Sequence, residues 1–188
     1  EQKYKEIIAF NKAWKPKKPL KSFQDVGATR LDVRTQAAAD DMRAFFRLYL
    51  NTYGAMIERV FRKHDPNLLL IGSRWTPATA NNRDVVEVSS KYLDILSINY
   101  YAYGLDEAFL RRIHKQSGGK PMILSEWHYC STDQGLQARM QMASQEDRAK
   151  AFRHYTEQAA SLPFVVGLQW FSYLDHAITG RLFEGFNG

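Results

Sequence analysis

The sequence has a single cysteine, Cys130, which excludes an internal disulfide bond and leaves the redox compartment open. No apolar run reaches the length of a transmembrane helix and no signal-peptide pattern is present, so we expect no membrane partner. No glycine-rich turn follows an apolar segment, which argues against a dinucleotide-binding or phosphate-binding loop. No histidine, cysteine or acidic residues are spaced as metal ligands, so we expect neither a metal ion nor another cofactor.

Acidic residues are fewer than basic ones: the sequence has 20 aspartate and glutamate residues and 26 lysine and arginine residues, for a formal net charge of +6. The positive residues are spread along the chain, and Pro16 and Pro19 interrupt their densest cluster, residues 15–21. That composition suits a solvated loop, and without a basic stripe or a known motif we expect no nucleic-acid partner. What is present is a hydrophobic fraction of 45% in 188 residues, which is enough for one domain with a substantial core.

The first residue is Glu1 rather than methionine, and we expect the chain to be part of a longer protein. Any targeting segment of that parent would lie outside the sequence. The cellular location therefore stays open, a secreted or periplasmic parent included.

Helical and strand patterns alternate along most of the chain. The period of residues 37–64 predicts a long helix with a buried apolar stripe, made of Met42, Phe45, Phe46, Tyr49, Tyr53, Met56, Ile57 and Val60. Short apolar strands are predicted at 68–72, 93–99, 121–125 and 164–170, and shorter helices at 84–91, 106–116 and 144–161. Continuous apolar strands separated by helices predict an α/β fold with a parallel sheet covered on both faces.

A closed (β/α)8 TIM barrel takes roughly 250 residues, and this chain has room for about half of one. A doubly wound open sheet is the competing architecture, but the glycine-rich turn typical of it is missing. We predict that residues 37–188 supply the βα units of the second half of a barrel and that residues 1–36 form an insert or loop region. The strand at 68–72 would then lack a neighbour, and the segment alone should fold poorly.

Each predicted strand is followed by polar or aromatic residues: Ser73, Arg74 and Trp75; Asn99, Tyr100 and Tyr101; Glu126, Trp127 and His128; and Gln169, Trp170, Phe171, Tyr173 and Asp175. Aromatic rings can cover the apolar faces of a pyranose while amide, hydroxyl and carboxyl groups bind its hydroxyls. Because the carboxyl ends of parallel strands share one rim, these residues predict a sugar-binding surface. Core packing is the alternative explanation for the aromatic residues.

Glu126 is the leading candidate for catalysis. It closes the apolar run Pro121-Met122-Ile123-Leu124-Ser125, and a charged group at the end of a buried strand is costly unless it has partners or a chemical role.

Ser125-Glu126-Trp127-His128, with Asp133-Gln134-Gly135 after it, resembles the nucleophile strand of clan A glycoside hydrolases. Trp170-Phe171-Ser172-Tyr173-Leu174-Asp175 and Thr179-Gly180-Arg181 resemble the last barrel strand and following loop of family 50 β-agarases and related family 42 β-galactosidases. Asn11-Lys12-Ala13-Trp14 with Ser22-Phe23 is similar to an insert of family 42-like enzymes.

The resemblance implies a TIM barrel of which this chain holds roughly strands five to eight, and a retaining mechanism on β-galactosidic linkages of an agarose-like polysaccharide or a galacto-oligosaccharide. It implies Glu126 as the nucleophile and Tyr100 as the residue that orients it. Substrate contacts are implied for Asn99, Trp127, His128, Trp170, Asp175 and Arg181.

The acid/base glutamate of that clan follows an asparagine, and no Asn-Glu pair occurs in this sequence. We therefore expect the acid/base residue, and the N-terminal half of the same barrel, to lie upstream of Glu1. Asp133, Asp175 and Glu184 are better suited to ordering loops or binding sugar hydroxyls. Arg181 fits a substrate contact and a surface ion pair equally well. The alternatives to a hydrolase are a non-catalytic carbohydrate-binding relative and a structural α/β module.

Overall fold

The computed structural model describes residues 3–132 and 140–173 and confirms the α/β alternation over these ranges. The chain divides into two compact units, Glu1–Thr52 and Tyr53–Gly188, and the boundary falls within the long helix. The elements are α1 Ile7–Trp14, α2 Gln24–Ala28, α3 Gln36–His64, α4 Pro77–Ala80, α5 Arg83–Ser89, β1 Leu96–Asn99, α6 Glu107–Gln116, β2 Met122–Trp127, β3 Cys130–Ser131, β4 Gln141–Met142, α7 Gln145–Ala160 and β5 Val165–Trp170.

The first unit has its own small apolar core. Phe10 and Trp14 of α1 are buried with Ala38 of α3, and the rings of Phe10 and Trp14 stack with centroids 5.1 Å apart. Asp41 closes this core by accepting hydrogen bonds from Lys3, from the Tyr4 hydroxyl (2.5 Å) and from Trp14 Nε1 (2.8 Å). Partial burial opposes ionisation of Asp41, but these three donors outweigh it and lower its pKa.

Helix α3 forms where the sequence predicts it, but its apolar stripe is not buried. Seven of the eight predicted stripe residues are exposed, and only Phe46 is half-buried. The exposed fraction is 62% for Phe45 and 50% for Val60. Periodicity predicts that a face is apolar, whereas burial also requires a second surface that covers that face. The predicted burial is therefore wrong for this chain.

Three parallel strands form the sheet of the second unit, in the order β1-β2-β5. Their order along the sheet follows the sequence, with α6 between β1 and β2 and α7 between β2 and β5. This arrangement confirms the predicted parallel pairing. A separate short pair, β3 with β4, follows β2. Five strands are present in the described ranges, and they do not close into a barrel.

The predicted strand at 68–72 is not a regular strand. It touches β1 only through isolated bridges, Ile71 to Ile95 and Trp75 to Ile98. Leu68 and Leu69 are 58% and 62% exposed, so the segment is not buried as its composition predicts. Its backbone is held by Asp94, whose carboxylate accepts from the Leu70 N–H at 2.6 Å, and this side-chain contact takes the place of a ladder bond. The apolar composition predicted a buried strand, but within the described ranges the segment has a neighbouring strand on one side only.

Two helix ends are set by local side-chain and backbone chemistry. The Ser144 hydroxyl accepts from the Asp147 N–H at 3.1 Å at the start of α7, in an arrangement close to a capping box. Helix α6 ends at Gly118 and Gly119, whose φ angles of 77° and 86° lie in the region that glycine adopts without strain. These boundaries fix where β2 and β5 begin.

Candidate active site

A β-bulge at the end of β2 determines which way Glu126 faces. Against β1, Ile98 pairs with Leu124 but Asn99 pairs with Glu126, so β2 carries one extra residue at this point. Against β5, Leu124 pairs with Leu168 and Trp127 with Trp170, which locates the same extra residue between Leu124 and Trp127. A bulge re-aims the side chains beside it. Ser125 and Glu126 thereby lie on the face of the sheet opposite to Trp127.

The Glu126 carboxylate is held by two side chains from neighbouring segments. Arg74 donates to Oε2 at 2.6 Å and the Tyr101 hydroxyl donates to Oε1 at 2.6 Å. The Glu126 side chain keeps 17% of its surface exposed, whereas that of Arg74 is 58% exposed. Both oxygens are therefore fixed in orientation while the group remains open to solvent, as an attacking carboxylate requires.

Tyr101, rather than Tyr100, contacts the candidate nucleophile. Tyr100 is 7% exposed, its hydroxyl accepts from the Asp106 N–H at 3.3 Å, and its ring packs near Phe109 with centroids 6.0 Å apart. Burial raises the pKa of the Tyr100 phenol. In this structure the Tyr101 hydroxyl donates to Glu126, whereas the Tyr100 hydroxyl accepts from Asp106, and the orienting role of Tyr100 stays a prediction. Side chains alternate between the faces of an extended chain, and Asn99 and Tyr101 share the face of Glu126 while Tyr100 faces the helices.

A row of short polar side chains continues from Glu126 along the same face. The Ser97 hydroxyl donates to Ser125 Oγ at 2.6 Å, and Ser125 in turn donates to Asn99 Oδ1 at 3.0 Å. Asn99 is half-buried, and its amide nitrogen has no hydrogen-bond partner among the described residues. The predicted site residue Asn99 therefore lies on the correct face, with donor groups available to a ligand.

Trp127 lies on the opposite face and belongs to the core. It is 2% exposed and stacks on Tyr155 of α7 with centroids 4.1 Å apart and an interplanar angle of 10°. Its Nε1 is buried without a hydrogen-bond partner in the part of the chain that the structure describes. Trp127 thus lies on the face of β2 opposite to Glu126, and its predicted substrate contact is not part of this arrangement. Burial also raises the pKa of the Tyr155 phenol.

His128 is buried too, but it supports the site indirectly. It is 2% exposed, its Nδ1 lies 2.9 Å from the Phe171 carbonyl oxygen, and its ring meets the edge of Tyr101 at 4.9 Å. Donation from Nδ1–H to the carbonyl fixes the ring, and the ring in turn limits where Tyr101 can sit. The predicted direct contact with substrate is replaced by a positioning contact through Tyr101.

Trp170 faces the helices together with Trp127. Their rings meet edge to face at 4.9 Å, and the Arg148 guanidinium of α7 lies 5.3 Å from the Trp170 ring. Trp170, for which the resemblance implies a substrate contact, thus lies on the face opposite to Glu126, and that contact stays a prediction. By alternation, the next residue, Phe171, faces the side of Glu126, and its N–H donates to the Trp127 carbonyl at 3.0 Å.

Several predicted residues lie outside the described ranges, namely Asp133, Asp175, Arg181 and Glu184. Within those ranges, no group of three or more histidine, cysteine, aspartate or glutamate residues is arranged to hold a metal ion. The described helices include none that is both long and apolar enough to cross a bilayer. Cys130 is buried beside the site strand and is a packing residue there.

Comparison with known proteins agrees with this geometry. Beta-agarase B of Vibrio sp. (strain JT0107) is 33% identical over 145 residues, which make up 74% of this chain and 14% of that protein. Among solved structures, an exo-β-agarase is 30% identical with a TM-score of 0.82, over 99% of this chain and 25% of that one. The agarase AgWH50C is 30% identical with a TM-score of 0.81, and the match covers 99% of this chain and 26% of that one. No family model matches the chain.

The chain is homologous to β-agarases. It spans 14% of the length of the curated β-agarases that it matches, and about a quarter of the length of the solved agarases. The expected resemblance to family 50 β-agarases is thus supported as homology. The resemblance to family 42 β-galactosidases stays a prediction.

Sequence reasoning placed Arg74, Tyr101 and Phe171 at strand ends without assigning them a role. The signal that could have separated Tyr101 from Tyr100 is the alternation of faces counted from the buried Ile98. The bulge in β2 carries no such signal, since it is defined by the pairing of both neighbouring strands.

Proposed function

We propose that the protein is a retaining glycoside hydrolase acting on β-galactosidic linkages of an agarose-like polysaccharide or a galacto-oligosaccharide, with Glu126 as the nucleophile. The homology to β-agarases supports the substrate class, because those relatives cleave β-linked galactose polymers as their name states. It also favours hydrolysis over the alternative of a non-catalytic carbohydrate-binding protein.

One observation carries the proposal. Glu126 is the carboxylate that the bulge of β2 brings to the face of the sheet opposite to Trp127, where Arg74 and Tyr101 fix both of its oxygens. A purely structural carboxylate at the end of a buried strand would instead be expected to satisfy backbone N–H groups. The two partners of Glu126 are side chains that a substrate can rearrange or displace.

The chemistry needs a second carboxyl group. In a retaining glycosidase the two carboxyl groups lie roughly 5–5.5 Å apart, one attacking the anomeric carbon and the other protonating the leaving oxygen. Glu126 would form the covalent glycosyl intermediate, and water activated by the second residue would then release the sugar. We place that acid/base residue outside this chain, in the N-terminal half of the same barrel.

Two exposed features support the barrel proposal, in which this chain supplies strands five to eight. The segment from Leu68 to Ile71 presents apolar side chains and only isolated bridges at one edge of the sheet. The apolar stripe of α3, described above, is exposed as well. Edges and apolar faces of this kind are covered in complete proteins. The relatives are three to four times longer than the part that matches here.

The sugar surface would combine Asn99 with the ring of Phe171, on the face of Glu126. The Asn99 amide offers donors to a hydroxyl, and an aromatic ring on this face can cover the apolar side of a pyranose. Asp175 and Arg181 remain proposed substrate contacts from the loop that follows β5.

The decisive experiment is covalent trapping in the full-length protein. A 2-deoxy-2-fluoro-β-galactoside with a good leaving group slows the release of the intermediate, and mass spectrometry of a proteolytic digest should locate the adduct on the peptide that contains Glu126. Glu126→Gly should lose turnover and regain it with azide, giving a galactosyl azide of inverted anomeric configuration. Glu107→Gln, on the exposed α6, is the matched control and should keep turnover. An adduct on another residue, or turnover that survives Glu126→Gly without azide, would reject the assignment.

A further inference from the structure

A cleft in the first unit collects positive charge that the proposed catalytic site does not use. It has a volume of about 320 Å³ and is lined by residues 15–20 and by residues between 29 and 34. Two segments that are separate in sequence thus meet at one cavity. We call this the basic cleft.

The basic cleft is lined by five cationic side chains and one carboxylate. The cations are Lys15, Lys17, Lys18, Arg30 and Arg34, and the carboxylate is that of Asp32. Asp32 is already engaged, since it lies 2.6 Å from Arg34 and 3.8 Å from Lys17. Lys15, Lys18 and Arg30 are exposed and have no ion pair within the described residues. The cleft therefore carries an excess of about four positive charges that only an external anion can balance.

The backbone of the basic cleft is fixed to helix α1 on both sides. Asn11 donates to the Leu20 carbonyl at 2.8 Å and accepts from the Leu20 N–H at 3.0 Å, which anchors the first segment. The Thr35 hydroxyl donates to the Ala13 carbonyl at 2.6 Å, which anchors the end of the second. Pro16 and Pro19 restrict the backbone between these points. Binding would therefore need little ordering of the main chain, and low ordering costs favour affinity.

The lining also has an apolar component. Pro16, Pro19, Leu20 and Leu31 contribute to the cavity beside the cationic groups. Guanidinium and ammonium groups bind oxyanions, and apolar surface suits the C–H faces of a sugar ring. Clefts of about 300 Å³ and above are large enough for small ligands or one or two sugar units.

We propose that the basic cleft binds an anionic galactan, one that carries sulfate ester or carboxylate groups. The galactan class rests on the proposed function, whereas the anionic character rests on the cleft itself. Sulfate esters and carboxylates share the chemistry that the cleft recognises, and a linear polymer would place such groups near the cationic side chains repeatedly. The cleft would hold charged stretches of the polysaccharide and thereby select among galactans.

The test is a binding measurement on the full-length protein by isothermal titration calorimetry. The cleft variant carries Lys15→Gln, Lys18→Gln and Arg30→Gln. The matched control carries Lys63→Gln, Lys91→Gln and Lys115→Gln, three exposed lysines of the second unit without ion pairs in the described ranges, so that both variants lose the same net charge. The probes are a sulfated galactan (carrageenan), a carboxylated one (polygalacturonate), neutral agarose oligosaccharide and single-stranded DNA.

We expect one of the two anionic polysaccharides to bind the wild-type protein and the control, and to bind the cleft variant about tenfold more weakly or worse. The salt dependence of that affinity should also become shallower in the cleft variant, because fewer counterions are released. Which of the two binds identifies the anion. Equal weakening in the control, no binding of either anionic polysaccharide, or equally tight binding of DNA would overturn the proposal.

Hydrolysis of neutral agarose by the wild-type protein is measured separately. Its absence would reject the proposed function, yet the binding result would still decide whether the cleft recognises an anionic polysaccharide. Thermal unfolding of all variants confirms that a loss of binding is not a loss of folding.

Discussion

Two carboxylates at opposite ends of the same parallel sheet each pair with an arginine, but their surroundings differ. Asp94 precedes β1, contacts Arg62 and accepts the Leu70 N–H. Glu126 ends β2, contacts Arg74 and accepts the Tyr101 hydroxyl. Asp94 therefore fixes backbone, whereas Glu126 is fixed by side chains alone.

A carboxylate paired with an arginine can therefore hold the backbone in one place and present a carboxylate in another. Arg62 also donates to the Leu68 carbonyl at 2.7 Å, so that the Asp94 pair connects the end of α3 to the irregular segment beside β1. In sheets of alternating strands and helices, the ends where strands begin contribute to stability and the ends where strands finish carry active sites. These positions agree with our proposal, in which Asp94 is a structural group and Glu126 is the group available for chemistry.

The largest expected effect is that of Glu126→Gln on turnover. Under the proposal that Glu126 is the nucleophile, this change should lower kcat by on the order of 10⁴-fold or more, because an amide cannot replace the attacking carboxylate in the covalent step. The free energy of unfolding should change by less than about 1 kcal/mol, since the lost ion pair involves a largely exposed arginine. Kinetics on agarose oligosaccharides and urea denaturation measure the two quantities.

The opposite outcome would remove the contrast between the two carboxylates. If Glu126→Gln unfolds at much lower urea concentration and keeps its turnover, Glu126 is a structural residue like Asp94. Trapping experiments would then have to look for the nucleophile elsewhere.

Trp127, the neighbour of Glu126 in sequence, should behave in the reverse way. Trp127→Ala removes a ring that stacks on Tyr155 and contacts Trp170, and should lower the free energy of unfolding by about 3–5 kcal/mol. Trp127→Phe is the matched control. It keeps an aromatic ring and removes an indole N–H that has no partner in the described ranges, so the loss should be much smaller. A normal urea midpoint for Trp127→Ala would contradict its assignment to the core.

Tyr101→Phe should have a smaller effect on turnover than Glu126→Gln. It removes a hydroxyl 2.6 Å from Glu126 and should lower kcat/KM by on the order of 10²-fold with little change in stability. Tyr100→Phe is the informative comparison, because its hydroxyl contacts only the Asp106 N–H and its loss should leave kcat unchanged. If Tyr100→Phe lowers kcat/KM and Tyr101→Phe does not, Tyr100 is the tyrosine that orients Glu126.

These tyrosines show where sequence reasoning reaches its limit. Glu126 could be singled out because a charge that ends an apolar strand is unusual in any fold. The boundaries at Ser144 and at Gly118 could be predicted because capping and positive φ are local properties. Alternation counted from Ile98 can separate Tyr101 from Tyr100, but the face that Glu126 occupies depends on a bulge in β2, and therefore on the pairing of three strands.

Burial was the other property that local patterns could not decide. Periodicity correctly predicted α3, and composition correctly predicted an apolar segment at 68–72, yet the apolar stripe of α3 and most of that segment are exposed. For Trp127 the difference runs the other way. The sequence predicted that this aromatic residue at the rim faces the ligand, whereas its ring packs on Tyr155 of α7. Burial is a property of pairs of surfaces, and a single sequence pattern describes only one of them.

The smallest expected effect is on stability and comes from replacing Asp94, the carboxylate at the opposite end of the sheet from Glu126. The hydrogen bond from Arg62, followed by that from the Leu70 N–H, lowers the pKa of Asp94. A carboxyl group whose pKa is lower in the folded protein stabilises it fully above the unfolded value of about 3.9, and this contribution is lost as the pH falls through the folded pKa. Asp94→Asn should therefore lower the free energy of unfolding by about 1 kcal/mol at pH 6, and this deficit should be smaller at pH 3, which lies below the unfolded pKa of an aspartate.

Urea denaturation of both proteins at the two pH values measures this difference. The lowered pKa values of Asp25 and Asp41 affect wild type and variant alike, so they cancel in the comparison. Turnover at pH 6 should be unchanged, because Asp94 lies at the end of the sheet away from Glu126. A variant with normal stability and reduced turnover would mean that the two ends of the sheet are coupled, and that Asp94 acts on the site.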